Sequence, residues 1–259
     1  MPLNFYGKVV DEKDQPIIGA RIQFIWTDLS TKGSSNSESI TDTKGQFSLK
    51  GKTGKFLEVD IRKEGYYRPK EVQLAGFEYA DFSSANYNEP DPNKPVIFHL
   101  RKIATGEQLV TGEVDVITSP DGTPERVDLM NRGSVSPDGQ LEISAVTNTE
   151  KYPPRYFDWR ATLSMRNGGM LEHSDEFPFE APAAGYTPQE QFNYPMSDTA
   201  AWQRVVSKNY YITFGSPPKY GRIEISINGG SQHVDVRYWI NPSGSRNLEP
   251  SQPQPVPQP

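Results

Sequence analysis

The chain of 259 residues contains no cysteine. That removes a disulfide framework, a thiolate zinc or iron–sulfur site, and a cysteine nucleophile. Histidine is scarce: His99, His173 and His233 are the only three, and no two fall within four residues of each other. Neither His-Glu-x-x-His nor Gly-x-Ser-x-Gly occurs, so the familiar zinc-peptidase and serine-hydrolase signatures are missing. A phosphate-binding loop also fails, because Gly51-Lys52-Thr53 lacks the upstream glycine that such a loop needs. Positive charge is in deficit: 27 Lys and Arg stand against 33 Asp and Glu, a net charge of −6, which argues against a nucleic-acid partner. No run of about 18 apolar residues exists to span a membrane as a helix.

Two further absences bear on compartment. Met1-Pro2-Leu3-Asn4-Phe5 has no basic segment followed by an apolar one, so it does not read as a signal peptide. No Asn-x-Ser/Thr acceptor with a permitted middle residue occurs, which disfavours a eukaryotic secreted glycoprotein. The chain therefore either stays inside the cell or has lost a leader; the lack of cysteine is compatible with the second, and the expectation is an exported bacterial protein, periplasmic, outer-membrane-anchored or extracellular. Its leader would be absent from this sequence.

What the chain does have is 21 glycines and 23 prolines spread along its length, which disfavours helix. Its apolar residues alternate. Ala20-Arg21-Ile22-Gln23-Phe24-Ile25-Trp26, Phe47-Ser48-Leu49, Leu57-Glu58-Val59-Asp60-Ile61 and Val96-Ile97-Phe98-His99-Leu100 are strand patterns bounded by turn residues. A pause at Arg101–Glu107 marks a domain boundary. A second set of strands is predicted at about 109–117, 126–135, 140–147, 156–165, 170–177, 209–215, 221–227 and 232–240. Asn228-Gly229 predicts a hairpin joining Ile223–Ile227 to Val234–Tyr238, since a type I′ turn needs φ > 0 at both central positions. The stretch from Ala181 to Arg204 reads as a long aromatic loop packed on a sandwich, with Ser197-Asp198-Thr199 capping one short helix. The segment 250–259 holds five prolines and is predicted to be a disordered extended tail.

The predicted fold class is therefore all-β. Domains are expected at 1–104 and 105–249, the second an antiparallel, jelly-roll-like β-sandwich, followed by the Pro/Gln tail at 250–259. Within the first domain, Asp42-Thr43-Lys44-Gly45 is a tight turn in which Gly45 supplies φ > 0, Gly7 opens the first strand, and Tyr66 plugs the sandwich end.

Gly7-Lys8-Val9-Val10-Asp11, Pro16-Ile17-Ile18-Gly19-Ala20-Arg21-Ile22, Thr41-Asp42-Thr43-Lys44-Gly45-Gln46-Phe47-Ser48-Leu49 and Gly65-Tyr66 together resemble the carboxypeptidase regulatory-like domain, over roughly residues 4–102. The resemblance implies a seven-stranded prealbumin-type β-sandwich serving as an accessory fold, with no catalytic residues to carry over. Phe24–Asp28, Gly51–Lys55, Lys63–Tyr67, Phe98–Lys102 and the closing Asn241–Glu249 resemble exported proteins of planctomycete- and verrucomicrobia-like bacteria, in which such a domain precedes an uncharacterised all-β region.

Three functional readings follow. The first is a non-catalytic exported module for interaction or structure at the cell envelope, without cofactor or metal, whose partner is a protein or glycan. A carbohydrate-binding module is the second, using Tyr186, Phe192, Tyr194 and Trp202 as a sugar-stacking platform. Other aromatic candidates are Trp26, Tyr66, Tyr67, Tyr79 and Tyr87 in the first domain, and Tyr152, Tyr156 and Trp159 in the second. The third is a hydrolase in the second domain, with a carboxylate pair such as Asp175 and Glu176 acting as acid and base. Asn86, Asn88, Glu89, Asp91 and Asn93 form an oxygen-rich segment that could suit calcium but reads more simply as a polar surface loop.

Overall fold

A computed structural model describes residues 1–28, 31, 33–69, 75–119, 121–148 and 154–251. Among them the chain is all-β and contains no helix. It divides into two compact units, Met1–Ala104 and Thr105–Pro259.

In the first unit, Pro2–Val10 (β1) is the centre of a three-stranded sheet. It pairs antiparallel with Gln46–Thr53 (β4) and parallel with Val96–His99 (β8). Arg21–Thr27 (β2) and Phe56–Arg62 (β5) are the inner strands of a four-stranded antiparallel sheet. Ser34–Ile40 (β3) and Ala75–Glu78 (β7) are its edges. A short ribbon joins Tyr66–Tyr67 (β6) to Arg101–Lys102 (β9), and Tyr66 packs half-buried against the core.

Period-2 alternation makes β1 one-sided, with Leu3, Phe5, Gly7 and Val9 all facing inward. Gly7 sits within this strand rather than opening it. A Cβ there would lie 2.2 Å from the Phe47 ring, so its lack of a side chain is what lets Phe47 lie flat on the strand. The core is largely phenylalanine: Phe5 is 4.7 Å from Phe77 and 6.0 Å from Phe47, ring centre to ring centre, and Phe47 is 5.9 Å from both Phe24 and Phe98. Each buried ring of this kind stabilises by about 1.5–3 kcal/mol.

The second unit packs two five-stranded antiparallel sheets on one apolar core. The first, in spatial order, is Val110–Ile117 (β10), His233–Asn241 (β19), Lys219–Asn228 (β18), Val205–Phe214 (β17) and Gly168–Glu172 (β15). The second is Ser134–Val135 (β12), Glu125–Asp128 (β11), Leu141–Thr147 (β13), Trp159–Met165 (β14) and Gln189–Tyr194 (β16). A jelly roll would send the chain back and forth between sheets throughout. Here that alternation is concentrated in β14–β17, and β17-β18-β19 is a simple meander.

Several local expectations are corrected. The strand predicted at 126–135 is two short strands, β11 and β12. Asp128 breaks it by accepting the Met130 and Asn131 N–H groups, with Arg132 and Gly133 at positive φ. The Ile223–Tyr238 hairpin forms, with Ile227 opposite Val234, so its turn is longer than two residues. Asn228 Oδ1 accepts from the N–H groups of Gly230 and Ser231, and Gln232, at φ 62°, carries the positive φ. The supposed long loop contains β16, which pairs with β14 along its whole length. No helix follows Ser197. Asp198 does accept the Ala201 N–H, but the chain continues in turns, held by Trp202 Nε1–H donating to Phe157 O and Trp159 Nε1–H donating to Gln203 O. Pro250 and Ser251, placed at the start of the tail, are tied in: Ser251 N–H donates to Glu107 O. The remainder of the tail, 252–259, and Tyr152 lie outside the described residues.

Candidate functional site

The four rings proposed as a sugar platform do not meet on one surface. Phe192 faces the core from β16 and is buried. Tyr194 stacks on Trp159, its direct cross-strand partner, at 4.8 Å and 19°. Trp202 lies edge-on to Phe157 and to Tyr156, at 5.2 and 5.3 Å. Tyr186 belongs elsewhere: with Ala181, Leu248 and Tyr220 it covers Tyr211 on the outer face of the β10-β19-β18-β17-β15 sheet. Its hydroxyl donates to Pro182 O, and burial raises its pKa to about 12. One ring thus belongs to the inter-sheet core, two pack against it, and the fourth belongs to a separate small cluster.

That outer face is divided into a covered half and an open half. The covered half brings together residues that the sequence spaces far apart. Tyr211 Oη donates to Asp175 Oδ2 at 2.7 Å, and the His173 ring stacks on Tyr211 at 4.1 Å. The guanidinium of Arg222 lies 4.1 Å from the centre of the Trp239 ring and 5.7 Å from that of Phe179. Burial lowers the pKa of His173, outweighing the attraction of Asp175. Burial also raises the Tyr211 phenol, and the hydrogen bond to Asp175 adds to the effect. Of the predicted acid–base pair, Asp175 is therefore engaged by a tyrosine, while Glu176 is exposed beside it.

The open half is a shallow groove of about 390 Å³, lined by the side chains of Glu113, Ser207, Asn209, Glu224, Ser226, Asp235 and Arg237. Register explains the lining. Glu113, Arg237, Glu224 and Asn209 stand in one cross-strand row, and Asp235, Ser226 and Ser207 in the next. Period-2 alternation sends every one of these side chains to the face opposite Ile223, Ile225 and Ile227. Arg237 donates to Glu113 at 3.1 Å, and that hydrogen bond raises the guanidinium pKa. At the end of the face, His233 Nδ1 lies 3.2 Å from Asp115 Oδ1 and Oδ2. No motif in the sequence singles out the groove residues. The signal was present as polar residues alternating with Ile and Val in Ile223–Ile227 and Val234–Tyr238, but it reads equally as any solvated sheet face.

The other sequence candidates occupy structural positions. His99 lies in β8, 3.4 Å from Asp14. In the oxygen-rich segment, Asn88 Nδ2 donates to the Tyr79 hydroxyl, and Asp91 caps its own turn by accepting the Asn93 N–H. Among the described residues, no three of His, Asp and Glu gather as a metal shell. No helix among them is long and apolar enough to cross a membrane.

No protein-family model matches the chain. No curated protein is detectably similar to it. Among solved structures, a crystal structure of a DUF3823 family protein from Bacteroides uniformis is 11% identical, over 91% of this chain and 96% of that one, with a TM-score of 0.25. A likeness at that score carries no argument.

Proposed function

We propose that the chain is a non-catalytic, exported module of the cell envelope, with a carboxypeptidase regulatory-like accessory domain as its first unit. In this reading the second unit carries the ligand-facing surface, on the open half of its outer sheet face. The observation that carries the reading is the groove over β10, β19, β18 and β17. It presents hydroxyl, amide, carboxylate and guanidinium groups from strands of eight to ten residues. Long paired strands fix the backbone from which these side chains project, which suits recognition. The covered half favours binding over chemistry, because Asp175 and Tyr211 already satisfy each other and His173 is stacked.

The carbohydrate reading moves to this groove, whose mixture of donors and acceptors fits a hydroxyl-rich chain better than the dispersed rings do. The test is to apply the purified chain to a glycan array and to washed bacterial cell-wall fragments, beside the double variant Glu224→Lys/Asp235→Lys. Saturable binding that the double variant loses, without release of shortened sugar, is the expected result. Binding that survives the double variant would place the ligand elsewhere. Turnover of the bound glycan would restore the hydrolase reading.

A further inference from the structure

Edge strands expose unpaired backbone groups, and proteins usually blunt them. Most edges of this molecule carry such a device. On β4, Lys50 and Lys52 flank Gly51 at positive φ. The edge of β7 is covered by Asn86 and Asn88, which exchange backbone hydrogen bonds with Glu78. Thr187 does the same for Met170 on β15. Pro188 and Pro195 bracket β16, and β8 and β12 are only four and two residues long. Strand β10 carries two like charges, Glu113 and Asp115. Among the described residues, strand β3 has none of these devices. It runs seven residues, Ser-Ser-Asn-Ser-Glu-Ser-Ile, in unbroken register with β2, with one charge and no proline.

The hydrogen-bond parity of β3 defines what could pair with it. Thr41 N–H donates to Ala20 O, and Gly33 O accepts from Asp28 N–H, so the odd-numbered residues bond inward to β2. Ser34, Asn36, Glu38 and Ile40 therefore turn their N–H and C=O groups to the open side. Now place a second β3 antiparallel, with a two-fold axis through Ser37. Asn36 then faces Glu38 of the second copy, and Ser34 faces Ile40, so every outward backbone group finds a partner. The side chains also agree. Asn36 can donate to the Glu38 carboxylate twice by symmetry. Ser35, Ser37 and Ser39 supply only small side chains on the other face, and no like charges meet. Moving the axis to Glu38 would oppose two carboxylates, and moving it to Asn36 would leave Ile40 without a partner.

We propose that β3 is a homodimerisation edge, at which two copies of this chain pair antiparallel about Ser37 into one continuous eight-stranded sheet. The partner is a second copy because the strand is complementary to itself in this register. A separate envelope protein pairing there is an alternative that the same experiment detects.

The absence of cysteine makes the test clean. The predicted Ser37 pair is a non-hydrogen-bonded one, with Cα atoms about 4.5 Å apart, within disulfide reach. Ser37→Cys of the full chain should form a disulfide dimer under mild oxidation, well ahead of Ser231→Cys in the exposed β18–β19 turn. Ser35→Cys should cross-link to Ser39→Cys in a mixture, but not to itself. By sedimentation, the native chain should show a monomer–dimer equilibrium. Asn36→Glu should weaken it about tenfold or more, by setting carboxylates opposite each other. Asn36→Pro should abolish it without removing an inward ladder bond. Three outcomes overturn the proposal: a native chain monomeric at every concentration, Ser37→Cys oxidising no faster than Ser231→Cys, or a dimer indifferent to Asn36→Glu. A monomeric chain that captures a heterologous strand at Ser37→Cys would assign the edge to another protein instead.

Discussion

Carboxylates accept the hydrogen bonds of local turns in both units, but in the second unit one of them also works over a very different range of chain. In the first unit, Asp11 accepts from the N–H groups of Lys13 and Gln15, and Asp42 from those of Lys44 and Gln46. The two turns read Asp-x-Lys-x-Gln and share one geometry, with a residue at positive φ in the fourth place: Asp14 at 59° and Gly45 at 71°. In the second unit, Glu107 accepts from Asn241 Nδ2, Ser243 Oγ and Ser245 Oγ, at separations of 134, 136 and 138 residues. The closing segment is thereby fastened to the approach to β10. Gly106 lies against it so closely that a Cβ would stand 2.2 Å from Pro250 O. Local carboxylates shape a turn, whereas Glu107 closes a domain.

The largest expected effect breaks a local turn where it is crowded. At Gly45 a Cβ would meet Val9 O at 2.4 Å, besides requiring φ > 0. Gly45→Val should therefore destabilise the first unit by about 1–3 kcal/mol. Trp26, the only tryptophan before residue 105, reports this unit in a fluorescence-monitored denaturation. An unchanged midpoint would mean that the turn rearranges freely.

Breaking the long-range closure should matter less, because Glu107 is partly solvated. Glu107→Gln should cost about 1 kcal/mol after allowance for screening. The Ser245 and Asn241 hydrogen bonds hold the Glu107 carboxyl below its ordinary pKa. Its contribution is thus complete above about pH 4.3, the unfolded value, and is lost as pH falls through the lower folded one. The variant should flatten that acid limb in urea midpoints measured from pH 6 down to pH 3. An acid limb identical to that of the native chain would show that the clasp contributes nothing.

A smaller effect separates the units at milder pH. His173 has its pKa lowered by burial in the second unit, so folding favours the neutral ring. Its contribution is complete above about pH 6.5 and declines as pH falls through the folded value. His173→Gln should remove that part of the slope between pH 7.5 and pH 5, in a transition followed by Trp159, Trp202 and Trp239. Identical slopes in the two proteins would contradict the assignment.

These contrasts also explain what could be read in advance. The Asp42–Gly45 turn was legible because its donors, acceptor and glycine all fall within five residues. All-β character was legible from period-2 patterning, and so was the Ile223–Tyr238 hairpin. The turn type was not, because Asn228 accepts from Gly230 and Ser231 instead of entering a two-residue turn, and the Trp159 ring lies where a Gly229 Cβ would be. Strand β16 was missed although Phe192 and Tyr194 alternate with polar residues between two prolines. Those prolines mark an edge strand as readily as a loop. Strand β3 has no apolar alternation at all and is recognisable only through its pairing with β2. The groove and the Glu107 clasp depend on register between distant strands, which no local pattern encodes.

The smallest predicted effect sharpens the comparison within the first unit. Positive φ alone does not explain Gly45, since Asp14 adopts nearly the same φ in the matching turn. What differs is space: Asp14 is exposed, whereas a side chain at position 45 would collide with the Val9 carbonyl. Asp is among the residues that tolerate the left-handed region, so replacing it by Gly relieves little strain and adds freedom to the unfolded chain. Asp14→Gly should accordingly change stability by no more than about 0.5 kcal/mol in either direction. Its contact with His99 spans 3.4 Å at an exposed site, and such a pair adds little. Denaturant midpoints of Asp14→Gly and Gly45→Asp, followed through Trp26, should then differ sharply, with only the second variant destabilised. Equal losses at both positions would show that backbone conformation, not the Val9 carbonyl, demands the glycine.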